Sequence, residues 1–104
     1  MSGPRFCISL HVFVKPGKLA EFEAYERHVL PLLSNYGGTL DARFKPTASS
    51  SAGERLPDEI HLVSFPDEAA FEHYRNDPQR AAYQHLWEET VERTVVITGP
   101  AIDS

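Results

Sequence analysis

Two histidines, His11 and His61, are the side chains of this sequence best suited to chemistry. Each sits in the middle of an alternating stretch, and strand parity gives both the same facing on strands that the expected fold makes neighbours. Imidazole titrates near neutral pH, so a pair of them in a half-buried cleft could act as general acid and base. The same pair could ligate a metal ion, but two histidines are an incomplete donor set. The sequence holds neither an HExxH signature nor a cysteine pair. The plain alternative is two hydrogen-bonded polar residues lining a cavity or an interface. Asp41 and Arg43 share a face of another strand and could hold a polar or anionic substrate, Arg43 gripping a carboxylate with both arms of its guanidinium. A structural ion pair, or plain solvent exposure on an edge strand, competes with that reading. Phe13 and Phe65 fall on the same face as the histidines and would wall the substrate with apolar surface.

The other candidates carry blander expectations. His28, His73 and His85 lie on expected helices and read as surface residues. Cys7 shares the face of His11 but lacks an assured cationic neighbour to lower its thiol pKa, so it reads as a small buried residue. Tyr25, Tyr36, Tyr74, Tyr83 and Trp87 read as packing aromatics that can also rim a small-molecule cleft. No cofactor motif is present, so no cofactor is expected; a haem or metal role would need a deep apolar pocket or further ligands.

The elements that must position these groups follow from periodicity. Residues 6–14, FCISLHVFV, alternate with Phe6, Ile8, Leu10, Val12 and Val14 on one face and Cys7, Ser9, His11 and Phe13 on the other. Pro16 and Gly17 end that strand. From 18 to 36, apolar residues recur at helical spacing (Leu19, Phe22, Tyr25, Val29, Leu32, Leu33). Pro31 is expected to kink the last turn and Gly37-Gly38 to close it. Residues 39–45 alternate again, with Leu40, Ala42 and Phe44 opposite Thr39, Asp41, Arg43 and Lys45. A serine-rich stretch, about 47–56, flanked by Pro46 and Pro57, reads as a mobile hairpin loop. The third strand, 59–65, sets Ile60 and Leu62 against His61, Val63 and Phe65. Asp67 caps a short helix ending near Asn76, and Asp77-Pro78 opens a second one through about Arg93. Residues 94–98, TVVIT, make the last strand.

The order is β-α-β-β-α-β. It predicts an α+β, ferredoxin-like fold over a single domain, residues 1–104 with a core of about 6–99: a four-stranded antiparallel sheet with the helices on one face. Parity then leaves Phe13, Val63, Phe65 and Val96 on the face without helices, mixed with His11, His61, Asp41 and Arg43. Such a patch marks an interface, and a homodimer joined sheet to sheet would cover it.

Bulk properties narrow the function classes. A formal net charge of −5 over 104 residues argues against nucleic acid or anionic membrane as partner. A lone cysteine, no leader pattern and no apolar run of membrane length point to the cytoplasm.

Three stretches carry a resemblance to a known group: VKPGKLAEFEAYE at 14–26, YGG at 36–38 and VSFPDEAAFEHYRNDP at 63–78. With them, nearly the whole chain resembles the dimeric α+β barrel superfamily, closest to its small bacterial families of unknown function and more distantly similar to NIPSNAP and antibiotic-biosynthesis monooxygenase domains. The resemblance implies a homodimer with a cleft between sheet and helices in each protomer. It brings no agreed catalytic residues. The expectation is a protein with a cleft for a small organic molecule, with cofactor-independent acid/base or monooxygenase-type chemistry; the alternative is a non-catalytic ligand-binding or regulatory dimer.

Overall fold

Strand β1 (Phe6–Val14) forms over the alternating run and turns at Pro16 and Gly17, the latter at φ 76°, where Lys18 N–H donates to the Lys15 carbonyl. The computed structural model describes residues 3–50, 53 and 55–102. Helix α1 spans Leu19–Val29 and passes into a 3-10 helix, Leu30–Tyr36. The single helix expected over 18–36 is therefore two segments. Pro31 has no N–H to give the Arg27 carbonyl and its ring crowds that group, so the chain tightens its hydrogen bonding from there on. Gly37 closes the segment in the left-handed region, φ 71°, and an added Cβ there would lie 2.8 Å from Pro66.

Strands β2 (Thr39–Phe44) and β3 (Glu59–Phe65) follow. Helix α2 (Glu68–Arg75) is capped as expected by Asp67, whose carboxylate accepts the Ala70 N–H at 2.8 Å. Asp77 caps α3 (Pro78–Ala81) ahead of its first-turn proline. The expected continuation of that helix to Arg93 breaks again: α4 is Gln84–Thr90, and β4 runs Val91–Pro100. The sheet order is β2-β3-β1-β4, every pair antiparallel. This is the ferredoxin-like arrangement. Of the loop expected over 47–56, residues 51, 52 and 54 lie outside the described residues.

Register corrects the expected faces. Directly opposed residues of antiparallel strands point the same way. Leu10 stands opposite His61, Ile8 opposite Val63 and Phe6 opposite Phe65, so His61, Val63 and Phe65 join the helix-covered face. On the other side Leu10 stands opposite Val96, Ile8 opposite Thr98 and Val12 opposite Thr94. Ile60, Leu62, Val95 and Ile97 therefore belong to the open face, with Ser9, His11 and Phe13. The expected parity of β3 and β4 is inverted. Both parities of each strand carry apolar residues, so alternation alone does not choose; burial of Phe65 beneath Phe71 and Tyr74, ring centroids 5.5 and 5.4 Å away, does.

Strand β2 departs differently. Its pairing with β3 shifts between Leu40 and Ala42, leaving Asp41 as the extra, exposed residue of a bulge. Beyond it the parity flips: Arg43 stands opposite His61, and Phe44 opposite Ile60. Leu40 and Arg43 thus share the helix-covered face, whereas Phe44 sits on the open one. The core between sheet and helices holds Ile8, Val12, Phe22, Tyr25, Val29, Leu32, Leu33, Phe65 and Tyr74.

Candidate functional site

Helix α1 places Phe22, Tyr25, Glu26 and Val29 toward the sheet, a stripe with one carboxylate in it. Strand β3 sends Glu59 and His61, two residues apart and so on one face, up toward that stripe. The bulge in β2 turns Arg43 into the same space. These four side chains form one network beneath the helix. Arg43 Nη2 donates to Glu26 Oε1 at 2.9 Å and its Nε donates to Glu59 Oε1 at 2.9 Å. His61 Nε2 lies 2.9 Å from Glu59 Oε1 and equally far from Glu26 Oε2. Glu26, Glu59 and His61 are buried to 3%, 1% and 4% exposure, so the charges interact with little help from solvent.

A single Nε2 proton cannot aim at two carboxylates. The contact to Glu59 Oε1 has hydrogen-bond geometry, and the oxygens Glu26 Oε2 and Glu59 Oε2 are both buried without a hydrogen-bond partner. A proton shared by two such carboxylates relieves them. The pKa directions place it on Glu26. Burial, reinforced by the neighbouring Glu59 carboxylate, holds the Glu26 pKa above its usual value against the pull of His61 and Arg43. Burial also acts to raise Glu59, but hydrogen bonds from His61, Glu26 and Arg43 outweigh it and bring Glu59 down to about 2. Burial works against charge on His61, yet the two glutamates beside its Nε2 prevail and raise its pKa above 6.5. Glu59 is thus a fixed anion, and Glu26 and His61 hold protons more tightly than usual.

Glu26 and His61 also face a cavity of about 650 Å³ between the sheet and helices; Glu59 and Arg43 stand behind them. The cavity walls are mainly apolar and aromatic: Leu10 and Val96 from the sheet, Phe22 and Tyr25 from α1, Phe71 and Tyr74 from α2, Trp87 from α4. This is a volume and lining suited to a small organic molecule. The donor atoms of Glu26, Glu59 and His61 lie within 4.8 Å of one another, close enough to share a cation. Arg43 already neutralises both carboxylates through their Oε1 atoms, so a divalent ion would share them with a guanidinium that repels it.

The sequence-derived candidates divide. His61, Arg43 and Phe65 come together at this site, Phe65 as part of the cavity wall. His11 does not: it stands opposite Ile60 on the open face, with Ser9 Oγ 2.9 Å from its Nε2. The expected contact between His11 and His61 is absent because the register of β3 puts them on opposite sides of the sheet. Asp41 is exposed in the bulge, away from Arg43. Phe13 also lies on the open face, where the guanidinium of Arg93 stacks on its ring at 3.9 Å and that of Arg55 approaches to 5.6 Å. His28, His73 and His85 are exposed, as read, with His28 stacked on Tyr83. Glu26 and Glu59 were not among the candidates. Glu26 has a legible signal, a carboxylate four residues after Phe22 and one after Tyr25 on the apolar stripe; Glu59 shares the parity of His61.

With the geometry set out, comparison with known proteins places the chain. The NIPSNAP family model matches residues 13–99. The chain belongs to the NIPSNAP family. No curated protein matches it. Among solved structures, a protein of unknown function from Rhodopseudomonas palustris superposes with a TM-score of 0.84 at 18% identity, covering 100% of this chain and 86% of that one. An uncharacterised NIPSNAP domain protein from Burkholderia xenovorans gives a TM-score of 0.69 at 16% identity, over 92% of this chain and 94% of that one. A dimeric protein of unknown function with a ferredoxin-like fold, from Bacteroides fragilis, gives 0.70 at 9% identity, over 97% and 100%. Identities this low show the fold and leave the chemistry of this NIPSNAP chain to its own residues. Among the described residues, no helix is long and apolar enough to cross a membrane.

Proposed function

We propose that this NIPSNAP protein is a homodimer whose protomers each bind a small, largely apolar organic molecule between sheet and helices, and move a proton on it with His61 and Glu26. The observation that carries this reading is the buried His61–Glu26–Glu59–Arg43 network opening onto an aromatic cavity through its two proton-holding members. Glu59 orients the imidazole and stabilises its charged form, as a fixed carboxylate behind a histidine does. Arg43 keeps the two carboxylates from repelling each other. His61 then accepts a proton from the ligand or returns one, with Glu26 the second proton store within reach. Proton transfer of this kind underlies both the acid/base and the oxygenase-type chemistry that the sequence resemblance raises.

Proton exchange tests the reading without a known substrate. Aryl ketones with an acidic α-carbon, incubated with the protein in D₂O, should exchange that hydrogen faster than in buffer. The His61→Gln variant should lose about 10²–10⁴-fold of the gain. No exchange above buffer across the panel, in protein that is folded, would sink the catalytic part. One observation favours a second reading: Arg43 meets both carboxylates at 2.9 Å, so the network also works as a closed structural clamp. In that case the cavity binds without turnover, and His61→Gln would lower stability without changing any rate.

A further inference from the structure

Arg80 lines the same cavity. Its guanidinium lies over the Tyr74 ring, 4.6 Å from the centroid. One terminal nitrogen donates to the Arg75 carbonyl at 3.1 Å, and the other reaches the Tyr25 hydroxyl only at 3.5 Å. The third nitrogen, Nε, is buried with no hydrogen-bond partner. Among the described residues Arg80 forms no ion pair. The other charges on the cavity do not answer it. Arg75 and Glu72 pair with each other at 3.2 Å, Glu26 is held by Arg43 and His61, and Glu68, the remaining carboxylate on the wall, makes no ion pair with Arg80. The Asp77 carboxylate, which senses the Arg80 charge, is committed to the backbone amides of Gln79 and Arg80 and to the Tyr36 hydroxyl.

A part-buried guanidinium with an unsatisfied N–H is costly unless something supplies the missing acceptor. Burial closes Nε to a ligand as well as to water, but each terminal nitrogen keeps a second N–H beyond its contact to the Arg75 carbonyl or the Tyr25 hydroxyl, and a carboxylate can accept two such parallel bonds end-on. We infer that Arg80 is an anion-binding residue and that the ligand of this cavity is an aromatic or otherwise flat apolar molecule bearing a carboxylate. The carboxylate pairs with Arg80 beside the Tyr25 hydroxyl, and the apolar body lies against Phe22, Trp87 and Leu10. Burial keeps both neighbouring phenols protonated, Tyr74 pushed up to about 12, so they offer O–H donors rather than a competing charge. The inference rests on reading the cavity as a small-molecule site; it does not depend on the proton chemistry of His61.

The single tryptophan of the chain, Trp87, lies on the cavity wall, so ligand binding can be followed by its fluorescence and confirmed by calorimetry. The probes are naphthoate and naphthamide, matched in shape and differing in charge. The intact protein should bind naphthoate at least tenfold more tightly than naphthamide. Arg80→Met should erase that preference and keep the amide affinity; Arg80→Lys should restore part of it. His61→Gln should leave the preference in place, so that loss of proton exchange and loss of anion recognition are told apart. Equal affinity for the two probes, a preference that survives Arg80→Met, or no binding of either probe to folded protein would each overturn the inference.

Discussion

At the residue scale the decisive arrangement is a histidine between two carboxylates of unlike character. Glu59 is anionic through the ordinary pH range, and Glu26 has its proton affinity raised mainly by burial. The folded-state pKa of His61 lies above 6.5. A raised pKa means that the stability gained from the charged imidazole is complete below about pH 6.5 and disappears as pH climbs through the higher folded value. Glu59 works the other way: its contribution is present above its ordinary value of 4.5 and is lost as pH falls toward about 2. Proton NMR of the imidazole should therefore give a His61 midpoint above 6.5, and urea unfolding should show stability declining on the alkaline side of neutrality. In His61→Gln that alkaline decline should flatten. A midpoint at or below the ordinary histidine value would mean that desolvation beats the glutamates, and the assignment of proton roles would fall.

At the scale of elements, one residue of excess in β2 determines whether the site exists. Asp41 makes no contact of its own in the network, yet the bulge it occupies turns Arg43 from the open face to the helix-covered one. Deleting Asp41 should restore regular alternation and send Arg43 out of reach of Glu26 and Glu59. Two buried carboxylates would then lose their cation, at a cost of about 3 kcal/mol, the low end for breaking a buried pair because Arg43 is itself partly exposed. Asp41→Ala, which keeps the residue count, should stay within about 0.5 kcal/mol of the parent. Urea denaturation of the two variants side by side gives the answer; equal stabilities would show that the bulge does not position Arg43. Pro31 acts on the same scale, since the 3-10 segment it imposes sets where Gly37 turns the chain into β2.

For the whole molecule, the open face of the sheet is the unfinished part. Phe44, Leu62, Val95 and Ile97 are 46%, 39%, 36% and 59% exposed, a larger apolar display than a lone domain of this size usually keeps. A second copy laid sheet to sheet, the homodimer proposed above, would cover them. His11, Phe13 and the arginines stacked on it would then lie between the two sheets. Ile97→Asp combined with Leu62→Asp should give a folded monomer by light scattering where the parent is a dimer; a monomeric parent, or a dimer indifferent to both charges, would rule out this face as the contact.

Local chemistry made much of this protein legible from its sequence. The strands follow from alternation, the caps from Asp67 and Asp77, the helix stop from Gly37, and the ferredoxin-like order from the succession of elements. These are short-range effects of backbone geometry, and each needs only its neighbours in the chain. The faces of β3 and β4 were not legible. A strand that is apolar on both sides, as expected when one is packed by helices and the other by a partner, offers no contrast from which to read parity. Only pairing with β1 shows that His61 faces the helices and His11 faces away. The bulge at Asp41 is likewise a property of two strands together. So the sequence supplied the histidine, the arginine and the fold, and the tertiary structure decided which of them meet, because register is settled by contacts between residues far apart in the chain.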